Sequence, residues 1–181
     1  MKSSFLFLAD GFEEIEALAT VDILRRAGVE VQTVSIYSHK QVKGAHGVEV
    51  TADLTFKEAD FGGSDWLILP GGMPGASNLY VFGPLTDLLK IHHGRIAAIC
   101  AAPAVVLAPL GLLKGLPATC YPGFEGACKE GDAEMKDERV VVTEKIITAN
   151  GPSSAIPFAL AIVEATKGAS VANEVAGGML V

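Results

Sequence analysis

The sequence predicts an α/β three-layer sandwich, in which a mostly parallel sheet carries helices on both faces. Its 181 residues are the length of a single domain, 1–181, with a sizeable core. Half of the residues are hydrophobic and only 19% are charged, so its strands are expected to be buried on both sides. Short apolar runs alternate with helical patterns along the chain, which is typical of parallel sheets.

The first half of the chain begins with a predicted strand, helix and strand. Residues 4–9 form an apolar run of the kind found in buried strands. A helical pattern follows, with glutamates at its positive end and Gly28 as its stop. Residues 29–36 alternate as the next strand, which implies parallel pairing through a right-handed crossover. Residues 48–50 are expected to form a short strand near the sheet edge.

The second half continues this alternation and ends in a small, mostly apolar tail. Its predicted elements are strands at 66–69, 96–99, 140–143 and 146–148, and helices at 76–81, 85–92, 101–110 and 155–166. In such Rossmann- or flavodoxin-like sheets, ligands bind beyond the C-terminal ends of the strands. The loops at 10–16, 70–75 and 99–102 therefore matter most.

Composition excludes several partners. Fourteen Lys and Arg against 21 Asp and Glu give a net charge of −7, so we expect no nucleic-acid partner and no anionic membrane partner. Three cysteines without a C-x-x-C spacing favour a reducing compartment, and we expect a cytoplasmic protein. The uncharged stretch 96–113 is interrupted by prolines and is interpreted as a buried strand, turn and helix.

Cys100 is the candidate nucleophile. It lies in the pattern small–x–nucleophile–x–small between a predicted strand and helix, which is the pattern of a nucleophile elbow. At a helix N-terminus its sulfur is expected to be a thiolate, because unpaired amides and the helix dipole stabilise the negative charge. The alternative is a buried structural cysteine, which is common in protein cores.

The segment Pro70-Gly71-Gly72 directly follows a predicted strand. Two glycines permit close backbone approach, so their amides can point at an anionic atom, although an ordinary tight turn has the same sequence. No G-x-G-x-x-G follows the first strand, so NAD and FAD are not expected. The sequence thus predicts no cofactor.

Three acids, Glu13, Glu14 and Glu16, start the first helix. Such acids usually stabilise the positive helix end from a solvated face. The functional alternative turns one of them inward, semi-buried and protonated, where it exchanges a proton with the Cys100 sulfur. Helical spacing allows one to face inward while another faces water.

The histidines and the remaining cysteines give weaker signals. No His-x-x-x-His or Glu-x-x-His spacing occurs, so no catalytic metal site is predicted. Cys120 follows the predicted Cys100 helix in a loop. It could resolve an oxidised Cys100, but a packing role is the simpler interpretation.

Four segments together resemble the ThiJ/PfpI superfamily, on its DJ-one/ThiJ-like branch. They are DGFEEIE at 10–16, LPGGMPG at 69–75, AAICAAP at 97–103 and NGPSS at 150–154. The resemblance implies a flavodoxin-like (class I glutamine amidotransferase-like) sandwich, usually a homodimer, with a reactive cysteine at the elbow. Carried over by position, Cys100 is the nucleophile, Glu16 is the acid beside it, and Gly72 and Ala101 supply oxyanion-binding amides.

The chain departs from parts of the family pattern. Peptidase-like members carry a histidine directly after the cysteine, whereas this chain has Ala101, so proteolysis and amide hydrolysis lose their base. Other members have a histidine where Tyr121 stands, which leaves Glu16 as the proton carrier. His46 lies where relatives often place an arginine that reaches the neighbouring active site.

Two functions follow from the resemblance. The first is a cofactor-free glyoxalase- or deglycase-like enzyme acting on small 2-oxoaldehydes or their adducts, with Cys100 as nucleophile and Glu16 as proton shuttle. The second is a non-enzymatic redox sensor for oxidative-stress protection, with possible chaperone behaviour, that uses the same oxidisable Cys100. A peptidase or amidase is a distant third.

Overall fold

A computed structural model describes residues 2–181 and has helices on both faces of a mostly parallel central sheet, as predicted. The strands are β1 (Ser4–Leu8), β2 (Val31–Ser35), β3 (Gln41–Lys43), β4 (Glu49–Thr51), β5 (Leu54–Thr55), β6 (Trp66–Leu69), β7 (Arg95–Ile99), β8 (Pro117–Ala118), β9 (Glu134–Met135), β10 (Val140–Val142) and β11 (Ile146–Ala149). The α-helices are α1 (Glu14–Arg26), α2 (Gly75–Val81), α3 (Gly83–Ile91), α4 (Glu125–Glu130), α5 (Ala155–Lys167) and α6 (Ala169–Met179).

The central sheet has seven strands in the order β10-β11-β7-β6-β1-β2-β5. Neighbouring strands are parallel except β10, which pairs antiparallel with β11. The chain moves outward from β1 in one direction to β2 and in the other to β6, so β1 lies at the switch point of the sheet.

The core forms two layers, one on each face of the sheet. Phe5 and Phe7 of β1 belong to one buried cluster, and Leu6 and Leu8 belong to the other. Helices α1 and α5 cover the face of Leu6 and Leu8, while α2 and α3 cover the opposite face. This burial on both sides explains why β1 is apolar at every position after Ser4.

Three local predictions need correction. Residues 49–51 pair antiparallel with β3 in a separate two-stranded sheet, and β5 forms the main-sheet edge instead. The predicted helix over 101–110 is a π-helical turn, Pro103–Leu107, in which the Ala108 amide donates to the Pro103 carbonyl. The apolar tail folds as α6, because its small residues pack against α5.

The uncharged stretch 96–113 contains β7 and the π-helical turn, and most of it is buried in the core. Within residues 2–181, no helix combines the length and apolar character needed to cross a membrane.

The fold brings the three predicted loops together. Strands β7, β6 and β1 are neighbours in the sheet and run parallel, so their C-terminal ends share one edge. The loop after β1 leads into α1, the loop after β6 contains Gly71 and Gly72, and the loop after β7 begins with Cys100. The candidate site is built where these loops meet.

Candidate active site

Cys100 occupies the strained turn that the sequence predicts. Its φ of 64° lies in the left-handed region, which costs a non-glycine residue roughly 1–3 kcal/mol. Two backbone hydrogen bonds hold this conformation: its amide donates to the Ala149 carbonyl, and its carbonyl accepts from the Tyr121 amide, both at 2.8 Å. The residue is 7% exposed, so the sulfur lies just below the surface rather than in open solvent.

Glu16 points inward from the first turn of α1 and is fully buried. Its Oε2 accepts a 2.7 Å hydrogen bond from the Gly71 amide, and its carboxyl is hydrogen-bonded to the Cys100 thiol. Among residues 2–181, its Oε1 finds no amide or hydroxyl donor. The structure therefore places Glu16 inward, as the functional alternative for one of the three glutamates requires.

The other two glutamates are also withdrawn from solvent, which corrects the expectation that one faces water. Glu13 caps α1 by accepting the Glu16 amide at 2.7 Å. Glu14 accepts the backbone amide of His46 at 2.7 Å and pairs with its Nδ1 at 2.8 Å. Each of these two carboxylates thus accepts its own hydrogen bond. The solvent-exposed side chain in this turn is that of Ile15.

Gly71 lets the cysteine and the carboxyl meet. A Cβ at this position would lie 2.6 Å from the Cys100 Cβ and 2.8 Å from the Glu16 Oε2, so a larger residue would push into both. Sequence reasoning identified the glycine pair but did not identify Gly71 as the hydrogen-bond donor to Glu16. No local pattern could have shown this, since the two residues are 55 positions apart.

Backbone amides surround the sulfur. The amides of Gly72 and Ala101 both hydrogen-bond to the Cys100 thiol and favour its ionised form. Gly72 has φ 85°, and an added Cβ would collide with the Gly11 carbonyl oxygen, so this close approach requires glycine. These are the two amides that the family resemblance assigns to oxyanion binding.

Glu16 and Cys100 titrate as a coupled pair. Burial raises the pKa of Glu16 to about 7, although the Gly71 amide and the Cys100 thiol favour its charged form. Burial, followed by the neighbouring Glu16 charge, raises the pKa of Cys100 to about 12. The pair therefore loses one proton near neutral pH and keeps the second between carboxyl and sulfur.

This coupling corrects the expectation of a thiolate produced by a helix N-terminus alone. When Glu16 is ionised, its charge keeps the Cys100 sulfur protonated. The sulfur ionises at neutral pH only while Glu16 holds the shared proton. The geometry thus supports a proton transfer between the two side chains.

The secondary candidates occupy different surroundings. Tyr121 contacts the elbow through its backbone amide, while its ring packs against Gly151 and is partly exposed. Cys120 is buried, and its thiol interacts with that of Cys128. His46 is paired with Glu14.

Three residues near the start of α1 could each offer one metal ligand. Atoms of Glu13, Glu14 and His46 lie within 4.8 Å of one another. Both carboxylates are already engaged, because Glu13 caps the Glu16 amide and Glu14 accepts from His46. This cluster satisfies itself and gives no further indication of a metal.

The fold and the elbow place the protein among α/β sandwiches with a cysteine between a sheet strand and a helical turn. The sequence matches the DJ-1/PfpI family over residues 2–165. The chain belongs to this family, which confirms the resemblance inferred from the four segments.

Individual relatives agree with this assignment. Glutathione-independent glyoxalase DJR-1.2 of Caenorhabditis elegans is 36% identical over 179 residues, covering 95% of this chain and 92% of the relative. The structure of oxidized DJ-1 from Toxoplasma gondii has a TM-score of 0.93 at 39% identity and covers 99% of this chain and 98% of that one. DJ-1 homolog B of Arabidopsis thaliana is 36% identical over 99% of this chain, which spans only 41% of that relative's length.

Proposed function

We propose that the protein is a cysteine-dependent glyoxalase- or deglycase-like enzyme that acts without a cofactor on small 2-oxoaldehydes or their adducts. The observation that carries this proposal is the buried Glu16 carboxyl, whose pKa is raised to about 7, hydrogen-bonded to the Cys100 thiol. A group that titrates near neutral pH can both accept and return a proton during one turnover. The C. elegans relative, named a glutathione-independent glyoxalase, supports the same reaction class.

In the first step the Cys100 sulfur attacks the aldehyde carbon, and the thiol proton passes to the Glu16 carboxylate. The C=O bond becomes a C–O⁻ bond that backbone amides beside the sulfur stabilise, and the Glu16 acid passes its proton to this oxygen, which gives a hemithioacetal and restores the carboxylate. Gly72 and Ala101 supply those amides, which already point at the sulfur.

In the second step Glu16 moves a proton between two carbons. Its carboxylate removes the hydrogen of the former aldehyde carbon to give an enediolate, and its acid returns that proton to the neighbouring carbon, while the hydroxyl proton of the former aldehyde carbon passes to the adjacent oxygen. The product is a 2-hydroxyacyl thioester. Water cleaves this thioester, which releases the 2-hydroxy acid and restores the Cys100 thiol, so the cycle needs no oxidant or reductant.

The first test is conversion of methylglyoxal to lactate in glutathione-free buffer. We expect wild type to convert it and Cys100→Ser to lose at least about three orders of magnitude in kcat/KM, since the nucleophile is gone. Cys128→Ala, which removes a different buried thiol, is the matched control and should retain activity. Equal rates for wild type and Cys100→Ser would contradict the proposed function.

The same site also supports the second candidate, a redox sensor. A sulfinate on Cys100 would accept a hydrogen bond from the protonated Glu16 carboxyl and from the surrounding amides. After mild hydrogen peroxide, this function predicts two added oxygens on Cys100 before any oxygen addition elsewhere. Wild-type protein that retains an unmodified Cys100 while other side chains gain oxygen would exclude it.

We also propose that the protein acts as a homodimer. Ile15, Leu18 and Val48 are exposed apolar residues, and the Val48 amide contacts Glu14, which places these side chains in one region. Covering such a patch against its own copy would remove it from water. Sedimentation should give a dimer for wild type and a monomer for Ile15→Lys, whereas a monomeric wild type would refute the dimer.

A further inference from the structure

The two cysteines outside the elbow lie side by side. Cys120 is 4% exposed and Cys128 is fully buried, and both belong to the hydrophobic cluster on the face of the sheet covered by α2 and α3. Their thiols hydrogen-bond each other, and the Cys120 sulfur also contacts the Tyr121 carbonyl at 3.6 Å. Both thiols are free.

A compact turn produces this juxtaposition. The Phe124 amide donates to the Tyr121 carbonyl at 3.1 Å, which reverses the chain and starts α4. Cys128 then faces back from α4 toward Cys120, and the Ala133 amide fixes its carbonyl at 3.0 Å. Because the two thiols are in hydrogen-bond contact, a disulfide would join sulfurs that are already neighbours.

Solvent reaches one member of the pair. A cavity of about 290 Å³ at the surface is lined by Cys120, Pro122, Glu125 and Lys136, among others. A small peroxide fits in this volume and can reach the pair from the side of Cys120. Cys128 lies behind, in the core.

The contact between the two thiols shifts their pKa values in opposite directions. The hydrogen bond from the Cys120 thiol lowers the pKa of Cys128, although burial opposes this. The same contact with Cys128, followed by burial, raises the pKa of Cys120. The contact therefore favours an ionised sulfur within the pair, which makes the pair more reactive than a lone buried thiol.

We propose that Cys120 and Cys128 form a reversible intrachain disulfide, a redox site separate from Cys100 and driven by small hydroperoxides. The hydroperoxide enters through the cavity beside Cys120, oxidises one sulfur of the pair to a sulfenic acid and is itself reduced to water or an alcohol. The other sulfur then attacks the sulfenic sulfur, the S–S bond forms, and the S–O bond breaks with release of water. A low-molecular-weight dithiol reverses the reaction by exchange.

This pairing differs from a role for Cys120 in resolving oxidised Cys100. The Tyr121 amide is held by the Cys100 carbonyl, so the loop is fixed to the elbow through its backbone, while the Cys120 sulfur is in contact with Cys128. The nearest reaction partner for an oxidised Cys120 is therefore Cys128.

The decisive experiment maps disulfides in the full chain after treatment with hydrogen peroxide. Wild type and Cys100→Ser, which removes the competing elbow thiol, are oxidised, blocked with iodoacetamide and digested without reductant. Trypsin releases residues 115–129 as one peptide that contains both cysteines. We expect the mass of this peptide to be lower by two hydrogens and its cysteines to resist alkylation. Treatment with dithiothreitol should restore the two hydrogens and make both cysteines reactive again.

A second cut makes the linkage explicit. Cleavage after Glu125, which lies between the two cysteines, should leave two fragments joined until reductant is added. In Cys128→Ala the joined species should vanish. A peptide linking Cys100 to Cys120, or oxygen added to Cys120 without any link, would overturn the proposal. The wild-type map decides the matter even if the Cys128 variant fails to fold.

Discussion

Glu14 and Glu16 lie two positions apart in the first turn of α1, yet their surroundings drive their pKa values in opposite directions. Glu14 is partly desolvated, but hydrogen bonds from the side chain and backbone of His46 outweigh this and lower its pKa. Glu16 is more deeply buried, and its one amide donor and the Cys100 thiol do not compensate, so its pKa rises to about 7.

The difference shows how one helix turn provides a structural carboxylate and a proton carrier. The hydrogen-bond donors around each carboxyl determine its role. Glu14 faces the exposed loop of His46, whereas Glu16 faces the loops after β6 and β7. A carboxyl rich in donors stays ionised and fastens a loop. A carboxyl with too few donors exchanges protons near neutral pH, which is what acid–base chemistry at a cysteine needs.

The largest predicted effect separates the two glutamates by activity. Glu16→Gln keeps the shape and hydrogen-bonding capacity of the side chain but holds no mobile proton, so methylglyoxal turnover should fall by roughly 10²–10⁴-fold. Glu14→Gln is the matched control and should stay within about threefold of wild type, since it lies outside the proton path. Similar losses in both variants would show that the carboxylates contribute through structure alone.

The same comparison predicts opposite dependences of stability on pH. Because the pKa of Glu16 is raised from 4.5 to about 7 on folding, its contribution is fully present below pH 4.5 and is lost as pH rises through 7. A rise of this size corresponds to about 3 kcal/mol. Glu16→Gln should therefore gain stability over wild type between pH 5 and pH 8 in urea unfolding.

Glu14 should behave in the reverse way. Its lowered pKa makes its contribution present at neutral pH and lost as pH falls below its ordinary value of 4.5. The stability gap between wild type and Glu14→Gln should hence narrow on acidification. A constant offset at every pH for either variant would rule out the assigned titrations.

Two glycines extend the comparison to packing. An added Cβ at Gly71 meets the Cys100 Cβ and the Ile99 carbonyl, whereas at Gly83 it meets no atom within 4 Å. We expect Gly71→Ala to cost about 1–3 kcal/mol, because fixed atoms must move, and Gly83→Ala to cost less. Urea unfolding of both variants tests this order, and a Gly83→Ala cost equal to or above that of Gly71→Ala would reverse it.

The smallest predicted effect concerns His46. Its hydrogen bond with Glu14 raises the pKa of the imidazole above its ordinary value of 6.5. An NMR titration should show this rise in wild type and its loss in Glu14→Gln, with Glu16→Gln unchanged. A His46 titration that is identical in all three proteins would show that the pair does not persist in solution.

The sequence predicts the sheet well because continuous apolar runs such as those of β1 and β6 allow few alternatives. It also predicts the elbow, whose small neighbours are a local signal around Cys100. It fails where contacts are distant in the chain: the burial of Glu16 depends on the amide of Gly71, and no spacing rule connects them. Cys128 likewise gains a partner only through the turn before α4.

The rate of Cys100 alkylation by iodoacetamide as a function of pH tests directly whether Cys100 and Glu16 share a proton. If Cys100 and Glu16 share one proton, the wild-type rate rises first near pH 7 and again only toward pH 12. Glu16→Gln should then show a single rise with a midpoint above 7. Superimposable profiles for the two proteins would mean that the carboxyl and the thiol titrate independently and that Glu16 does not control the ionisation of Cys100.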